Sequence, residues 1–263
     1  MEFIEACLLN SGPTEGDLEQ RLSFLQRVGI HHFIFSDFFG LRSFGQRVKG
    51  LDLPIGHLSV ISYANIDSIK MIWNLINSYD LFTIFLQHSK FVGDDECKDA
   101  LYYVFSITDN VGCAMEAEAL LSFPLDDMVR TLQDEFRVDH FLVLDNEGLL
   151  LPKETSRCLK TLRSKILKES KIFYFPNDNH ALGLMNALYA MRLGIDGLVG
   201  SALNERCDDP KIIDLMKLHL LYQQERNHLF SKHSIRLLDQ AFSPFIKGGE
   251  KGIIQRFAST KNT

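Results

Sequence analysis

The 263-residue sequence contains no apolar run close to the ~20 residues that a membrane-spanning helix needs. Its first residues, Met1 to Glu5, lack the basic start and the apolar stretch of a secretory signal. The formal net charge of −6 and the pI near 5.8 offer no basic surface for nucleic acid or for an anionic membrane. We therefore expect a cytoplasmic protein that contacts neither nucleic acid nor a membrane.

The sequence also lacks recognisable cysteine motifs and interdomain linkers. Its five cysteines are far apart and form no Cys-x-x-Cys pair, so their spacing indicates neither a zinc site nor a redox couple. No Pro-, Gly- or Ser-rich stretch and no low-complexity run separates one part of the chain from another. With 46% apolar residues, the chain is long enough to bury one full core without disulfide or metal support.

Short apolar runs alternate with helical patterns along most of the chain. Eight runs have the apolar character of strands that are covered on both faces, and they begin near Ile4, His32, Ile55, Phe82, Val111, Phe141, Lys171 and Gly197. Their spacing leaves room for one helix between consecutive strands, which is typical of parallel βαβ units.

This alternation predicts an α/β fold of the (β/α)8 TIM barrel type. We expect a single barrel domain over residues 1–227 and a short helical C-terminal extension, residues 228–263, packed on the barrel. A doubly wound open sheet is the rival architecture, and the count of eight strands favours the barrel. Gly29 and Gly194 each follow a helical stripe of apolar residues and are predicted to end a helix. Pro152 is predicted to lie in the first turn of another helix.

In such a barrel the active site lies at the C-terminal ends of the strands. Polar residues closely follow the predicted strands at Ser11, Asp37, His88, Glu116, Asp145, Asn177, Asp178 and Asp209. Loops are often polar for reasons unrelated to function, and an aspartate at these positions could equally cap a loop or a helix start. The functional interpretation is that Glu116, Asp145, Asp178 and Asp209 form an acidic cluster at the barrel mouth.

Motif-like segments occur at the ends of the last four predicted strands. Residues 113–118 read Cys-Ala-Met-Glu-Ala-Glu, residues 144–152 read Leu-Asp-Asn-Glu-Gly-Leu-Leu-Leu-Pro, and residues 177–188 begin Asn-Asp-Asn-His-Ala-Leu-Gly-Leu. The segment at 204–209 reads Asn-Glu-Arg-Cys-Asp-Asp. In this order they resemble the motifs of the HMG-CoA lyase and isopropylmalate synthase-like superfamily, which includes pyruvate carboxyltransferases. The resemblance implies a TIM barrel with a divalent metal at its mouth.

The resemblance fails at the positions that would hold this metal. In the first turn, Asn10 stands at the family's catalytic Arg and Ser11 at its metal-binding Asp. Asn177 and Asn179 take the places of the family's His pair, and Asp209 takes that of its final Asn. Neutral serine and asparagine replace anionic or imidazole ligands poorly. We therefore expect the family's divalent metal site to be lost, and we assign no cofactor and no metal ligand.

Among the polar residues at the strand ends, we predict Asp145, Glu116 and His88 to be catalytic. His88 follows the fourth strand and titrates near neutral pH, although a surface loop histidine explains its position equally well. The residues predicted to bind ligand are Ser11, Asp37, Asn177, Asp178 and Asp209.

Two hypotheses of different classes follow for function. The first is a divergent HMG-CoA-lyase or aldolase-like barrel that binds a small carboxylate or acyl ligand at its mouth and acts as a carbon–carbon lyase or synthase without the usual metal. The second is a pseudoenzyme, which serves as a scaffold or regulatory subunit of a partner protein or forms a homodimer. A different enzyme on the same scaffold is a third possibility, because the fold does not fix the chemistry.

Overall fold

Hydrogen bonding between β8 and β1 closes the sheet in the computed structural model of this protein, and all neighbouring strands pair in parallel and in chain order. The structure describes residues 1–6, 15–48, 55–87, 94–122, 125–180, 182–202, 212–215 and 218. The strands are β1 (Glu2–Glu5), β2 (His32–Phe35), β3 (His57–Tyr63), β4 (Phe82–Gln87), β5 (Val111–Glu116), β6 (His140–Leu144), β7 (Lys171–Phe175) and β8 (Gly197–Gly200).

Helices follow each of the first seven strands and connect it to the next. They are α1 (Glu15–Arg27), α2 (Phe38–Val48), α3 (Ile66–Ile76), α4 (Asp95–Ile107), α5 (Ala117–Ser122), α6 (Leu125–Arg130), α7 (Pro152–Lys165) and α8 (Gly183–Arg192). A wider π-type turn, Thr131–Glu135, continues α6. None of these helices, nor any other described helical residue, forms a span long and apolar enough to cross a membrane.

The predicted barrel is confirmed, and the open-sheet alternative is excluded by the register between β1 and β8, from Glu2↔Gly197 to Glu5↔Gly200. The observed strand starts lie within two residues of the predicted ones. Gly29 and Gly194 end α1 and α8 with φ of 83° and 72°, a conformation that glycine adopts at low cost. Pro152 is the first residue of α7.

Contact density divides the chain into two units, Met1–Leu215 and Met216–Thr263, and the barrel lies in the first. The predicted boundary at residue 227 and the predicted helical extension, 228–263, lie outside the described residues. Three cysteines, Cys97, Cys113 and Cys158, are free thiols and buried.

Two phenylalanines fill the centre of the barrel. The rings of Phe85 and Phe173 meet edge to face, with centroids 5.9 Å apart. Gly112 and Gly197 make room for them, because a Cβ added at either glycine would lie 2.6 Å from a carbon of the Phe85 or Phe173 ring. The core is therefore packed by matching a large residue with a glycine on a neighbouring strand.

The first prediction tests this packing. Gly112→Ala should lower the free energy of unfolding by about 1–3 kcal/mol, because the methyl group has no space between the Phe85 ring and the main chain of His140. Gly45→Ala in α2 is the control, because its Cβ would meet only the hydroxyl of Tyr79, at 3.3 Å, and it gains helix propensity. Urea denaturation of both variants measures the difference, and equal stabilities would contradict the packing argument.

Candidate functional site

A pocket of about 240 Å³ opens at the C-terminal ends of the strands, where the sequence predicts the active site. Its apolar lining includes Ile34, Ile61, Leu144 and Phe175, which belong to or pack against the inner core of the barrel. These side chains come from β2, β3, β6 and β7, so the floor of the pocket is the top of the barrel core.

The polar lining of this pocket consists mainly of uncharged groups, namely Ser36, Gln87, Asn146 and Asn177. In the part of the chain that the structure describes, Asp145 is the only ionisable residue that lines the pocket. The pocket therefore offers amide and hydroxyl groups, which can donate or accept hydrogen bonds, above an apolar floor.

Hydrogen bonds fix the side of the pocket that β6 and β7 form. The Asn177 side chain donates from Nδ2 to the carbonyl oxygen of Asn146 at 2.6 Å and accepts at Oδ1 from the Asn179 N–H at 2.8 Å. The Asn186 amide donates to the carbonyl oxygen of Leu150 at 2.7 Å. Gly148, with φ of 69°, packs against Asn177, and a Cβ there would lie 3.0 Å from Asn177 Oδ1. The loop after β6 is thereby held to the loop after β7.

Asp145 follows β6 directly and is 2% exposed. Its carboxylate accepts from the Gly148 N–H at 2.9 Å and from the Tyr174 hydroxyl at 3.4 Å. Side chains alternate between the two faces of a strand, and Phe173 belongs to the inner core, so Tyr174 points to the outer side of the barrel wall. Asp145 thus lines the pocket, and its carboxyl group bonds towards the barrel wall and holds the loop in place.

Burial raises the pKa of Asp145 to about 6, and the negative charge of Glu118 adds to the effect, while the bonds from Gly148 and Tyr174 oppose it. Within the described part of the chain, the buried oxygens Glu118 Oε1 and Asn186 Oδ1 have no hydrogen-bond partner. A proton on the Asp145 carboxyl group would turn one of its oxygens into a donor.

The other carboxylates predicted at the mouth have separate positions. Glu116 accepts from Asn146 Nδ2 at 3.2 Å and is one hydrogen bond away from the pocket lining. Asp178 accepts from the Gly183 N–H at 2.9 Å, at the start of α8, and Asp37 accepts from the Gly40 N–H at 2.8 Å, at the start of α2. Asp37 and Asp178 thus each accept a main-chain N–H at a helix start, and the acidic-cluster interpretation stays a prediction.

Three predicted site residues, Ser11, His88 and Asp209, lie outside the described residues. The structure brings Asp145 and Asn177 together at the pocket and places Glu116 beside it. The catalytic and ligand-binding roles assigned to all these residues stay predictions.

The described residues do not fit the divalent metal that the family resemblance implies. Among them, no group of three His, Cys, Asp or Glu side chains could hold a metal ion. Asn177, at one position of the family's His pair, has both ends of its amide engaged, one with the loop after β6 and one with Asn179 in its own loop. Asn179, at the other, is exposed.

No protein-family model and no curated protein sequence matches this chain. Several solved structures do match its fold. Hydroxymethylglutaryl-CoA lyase from Pseudomonas aeruginosa matches with a TM-score of 0.64 and 14% identity over 99% of this chain and 97% of that one. An HMG-CoA lyase from Acinetobacter baumannii matches with a TM-score of 0.63 and 11% identity, over 93% and 91%.

The carboxyl transferase domain of Rhizobium etli pyruvate carboxylase matches with a TM-score of 0.65 and 12% identity, over 100% of this chain and 52% of that one. This chain has the HMG-CoA lyase fold. The likeness predicted from four short motifs is therefore confirmed at the level of the fold. Identities of this size describe the architecture and leave the chemistry to be argued from the site.

Sequence reasoning missed four residues that shape the site. Ser36 and Gln87 line the pocket, and each directly precedes a residue that was chosen instead, Asp37 or His88. Tyr174 and Asn186 support the β6 loop from the barrel wall and from α8. Tyr174 lies in an apolar strand, but its alternation with Phe173 could have shown that it faces the helices.

The second prediction concerns Asp145. Because its pKa is higher in the folded protein than the ordinary aspartate value of 3.8, the folded state binds more protons between about pH 4 and about pH 6. The contribution of Asp145 to the free energy of unfolding is complete below about pH 4 and is lost as the pH rises through about 6. The stability of Asp145→Asn relative to the unmodified protein should therefore increase by about 1–3 kcal/mol between pH 4 and pH 7.

Urea denaturation at several pH values measures this difference. Asp99→Asn, at an exposed position of α4, is the matched control and should give a pH-independent difference. A flat profile for Asp145→Asn would contradict the assigned environment.

Proposed function

We propose that this barrel binds a small carboxylate or acyl compound at its C-terminal mouth and acts on it as a divergent carbon–carbon lyase or synthase. The supporting observation is the pocket of about 240 Å³ with an apolar floor and an uncharged polar lining. Its size suits a small organic ligand, and its floor suits a short acyl or alkyl group.

The hydrogen-bonding groups of the pocket favour this class of ligand. The Asn146 and Asn177 side chains are engaged with Glu116 and the main chain, respectively. The side chains of Gln87 and Ser36 also line the pocket, and we propose that they turn to a ligand. An amide N–H or a hydroxyl donates well to a carbonyl or carboxylate oxygen. Such donors stabilise the negative charge that develops on a carbonyl oxygen when an adjacent bond breaks.

The solved structures with this fold support the same ligand class. The Acinetobacter baumannii lyase is a complex with coenzyme A and 3-methylmalate, and the Rhizobium etli domain is a complex with pyruvate and biocytin. Both include a small carboxylate. We propose Glu116 as the acid–base group for such a ligand, since one hydrogen bond to Asn146 links it to the pocket, and Asp145 as the residue that positions the loop.

The third prediction tests ligand binding. A screen of 2-oxo acids, hydroxy acids and acyl-CoA compounds by ligand-observed NMR and thermal shift should yield at least one compound that binds at the mouth. Gln87→Ala should weaken its binding by about three- to tenfold, which is the effect of one lost hydrogen bond. Gln46→Ala, at an exposed position of α2, is the control and should bind normally. A binder that is unaffected by Gln87→Ala would place the site elsewhere.

The fourth prediction concerns metal content. The neutral side chains at Asn177 and Asn179 supply neither an anionic nor an imidazole ligand, so protein purified without chelator should contain substoichiometric Mg, Mn and Zn. Elemental analysis measures this directly. One tightly bound equivalent, lost on Asp209→Ala, would show that the family's metal position is still in use.

The second candidate function is a scaffold without catalysis. It is favoured by exposed apolar side chains next to the mouth, with Phe39 74% and Tyr63 70% exposed, and with Leu149 and Leu151 exposed in the loop after β6. Exposed apolar groups of this kind mark surfaces that bind other proteins. If the ligand screen yields no binder, and sedimentation shows self-association that Phe39→Ser weakens, the scaffold interpretation replaces the enzyme.

A further inference from the structure

Ionisable side chains occupy the opposite, N-terminal end of the barrel interior. Side chains two residues apart share one face of a strand, so the residues two before the inner core residues Ile4, Ile34, Leu142 and Phe173 also face inward. Together with His57 of β3, these residues form what we call the N-terminal polar layer: Glu2, His32, His57, His140 and Lys171. Barrel interiors are usually filled by branched apolar residues instead.

His32 lies at the centre of this layer and is 2% exposed. Its Nδ1 is 3.0 Å from Glu2 Oε1, and its Nε2 is 2.6 Å from Ser59 Oγ. The neutral tautomer with its proton on Nδ1 satisfies both contacts, as donor to Glu2 and acceptor from Ser59. The arrangement is that of a Ser–His–Glu triad, but Ser59 is fully buried and no substrate can reach it.

His57 packs against His32, with ring centroids 4.3 Å apart, and its Nε2 lies 2.9 Å from Thr83 Oγ1. Burial lowers the pKa of His57 to about 4, and positive charge on His32, His140 and Lys171 adds to the effect, whereas Glu2 opposes it. A proton on His57 is therefore unfavourable in the folded barrel.

The remaining groups of the layer do not neutralise such a proton. His140 stacks on Phe173, with centroids 5.8 Å apart, and its Nδ1 lies 2.5 Å from Asp139, so that carboxylate is already engaged. Lys171 is the register partner of His140 on β7 and adds positive charge. Glu2 is paired with His32; burial raises its pKa, but the His32 hydrogen bond and nearby positive charge outweigh this and lower it overall.

We propose that the N-terminal polar layer is an acid-sensitive latch, in which uptake of a proton by His57 loosens the N-terminal end of the barrel. The neutral layer is held by the Glu2–His32–Ser59 and His57–Thr83 hydrogen bonds. A charged His57 puts a buried positive charge beside the His32 ring and near Lys171 inside a closed barrel, and this cost is relieved when the surrounding strand ends separate.

The direction in which pH changes stability follows from the linkage between proton binding and folding. Because the pKa of His57 is lowered in the folded protein, its contribution to stability is complete above about pH 6.5 and is lost as the pH falls towards about 4. The strand ends that should open are those joined by the hydrogen bonds from His57 N to His31 O, at 2.8 Å, and from Glu2 N to Asp196 O, at 2.7 Å.

The test compares the full chain with its His57→Gln variant, whose side chain stays polar but cannot take up the proton. Between about pH 7 and pH 4.5, the folding constant of the unmodified protein should fall about tenfold or more relative to that of the variant. His180→Gln, at an exposed position, is the matched control and should follow the unmodified protein. The folding constant is compared as a ratio between proteins because the titration of Asp145, which they share, changes stability in the direction opposite to that of His57 over the same pH range.

Two local measurements keep the proposal testable if His57→Gln folds poorly. Amide exchange, corrected for intrinsic rates, should lose protection at Glu2 and His57 on acidification, while Asp145 at the mouth keeps its protection. An NMR titration should place the midpoint of His57 well below 6.5. A midpoint near 6.5, or uniform loss of protection at both ends of the barrel, would overturn the latch.

Discussion

Four register pairs between β1 and β8, from Glu2↔Gly197 to Glu5↔Gly200, close the sheet into a barrel. Closure removes both sheet edges and forces the inward side chains of all eight strands into one narrow space. The two rings at its centre, Phe85 and Phe173, fit because neighbouring strands have glycine there. The same closure gathers the C-terminal strand ends around one pocket and the N-terminal ends around one polar layer.

The two-residue period of a strand then decides what each end of the barrel displays. Leu144 faces the core and lines the pocket floor, whereas the carboxyl group of Asp145, one residue later, bonds to Tyr174 on the outer side of the wall. Proximity to a strand end therefore says little about whether a side chain enters the pocket. The residues that give the pocket its polar character are largely amides, which are less conspicuous in a sequence than carboxylates.

This explains how much could be predicted from the sequence. Apolar runs with regular spacing are a property of the whole barrel, so strands and fold were predictable from β1 to β8. The site depends on local hydrogen bonds: Asp37 and Asp178 accept from main-chain N–H groups at helix starts, a capping role that competes with ligand binding. The sequence offered capping and binding as alternatives for Asp178, and the geometry adds its bond to the Gly183 N–H. The bonds of His32 to Glu2 and Ser59 join three different strands, so no local sequence pattern shows them.

The two ends of the barrel also respond to acid in opposite ways. Asp145 behind the mouth has its pKa raised to about 6, so lowering the pH stabilises its surroundings, whereas His57 has its pKa lowered to about 4, so the same change destabilises the N-terminal end. Both effects fall between about pH 4 and pH 6.5 and have opposite signs, so each offsets part of the other in the total free energy of unfolding. Lowering the pH therefore redistributes stability along the barrel axis. It stabilises the mouth and destabilises the opposite end.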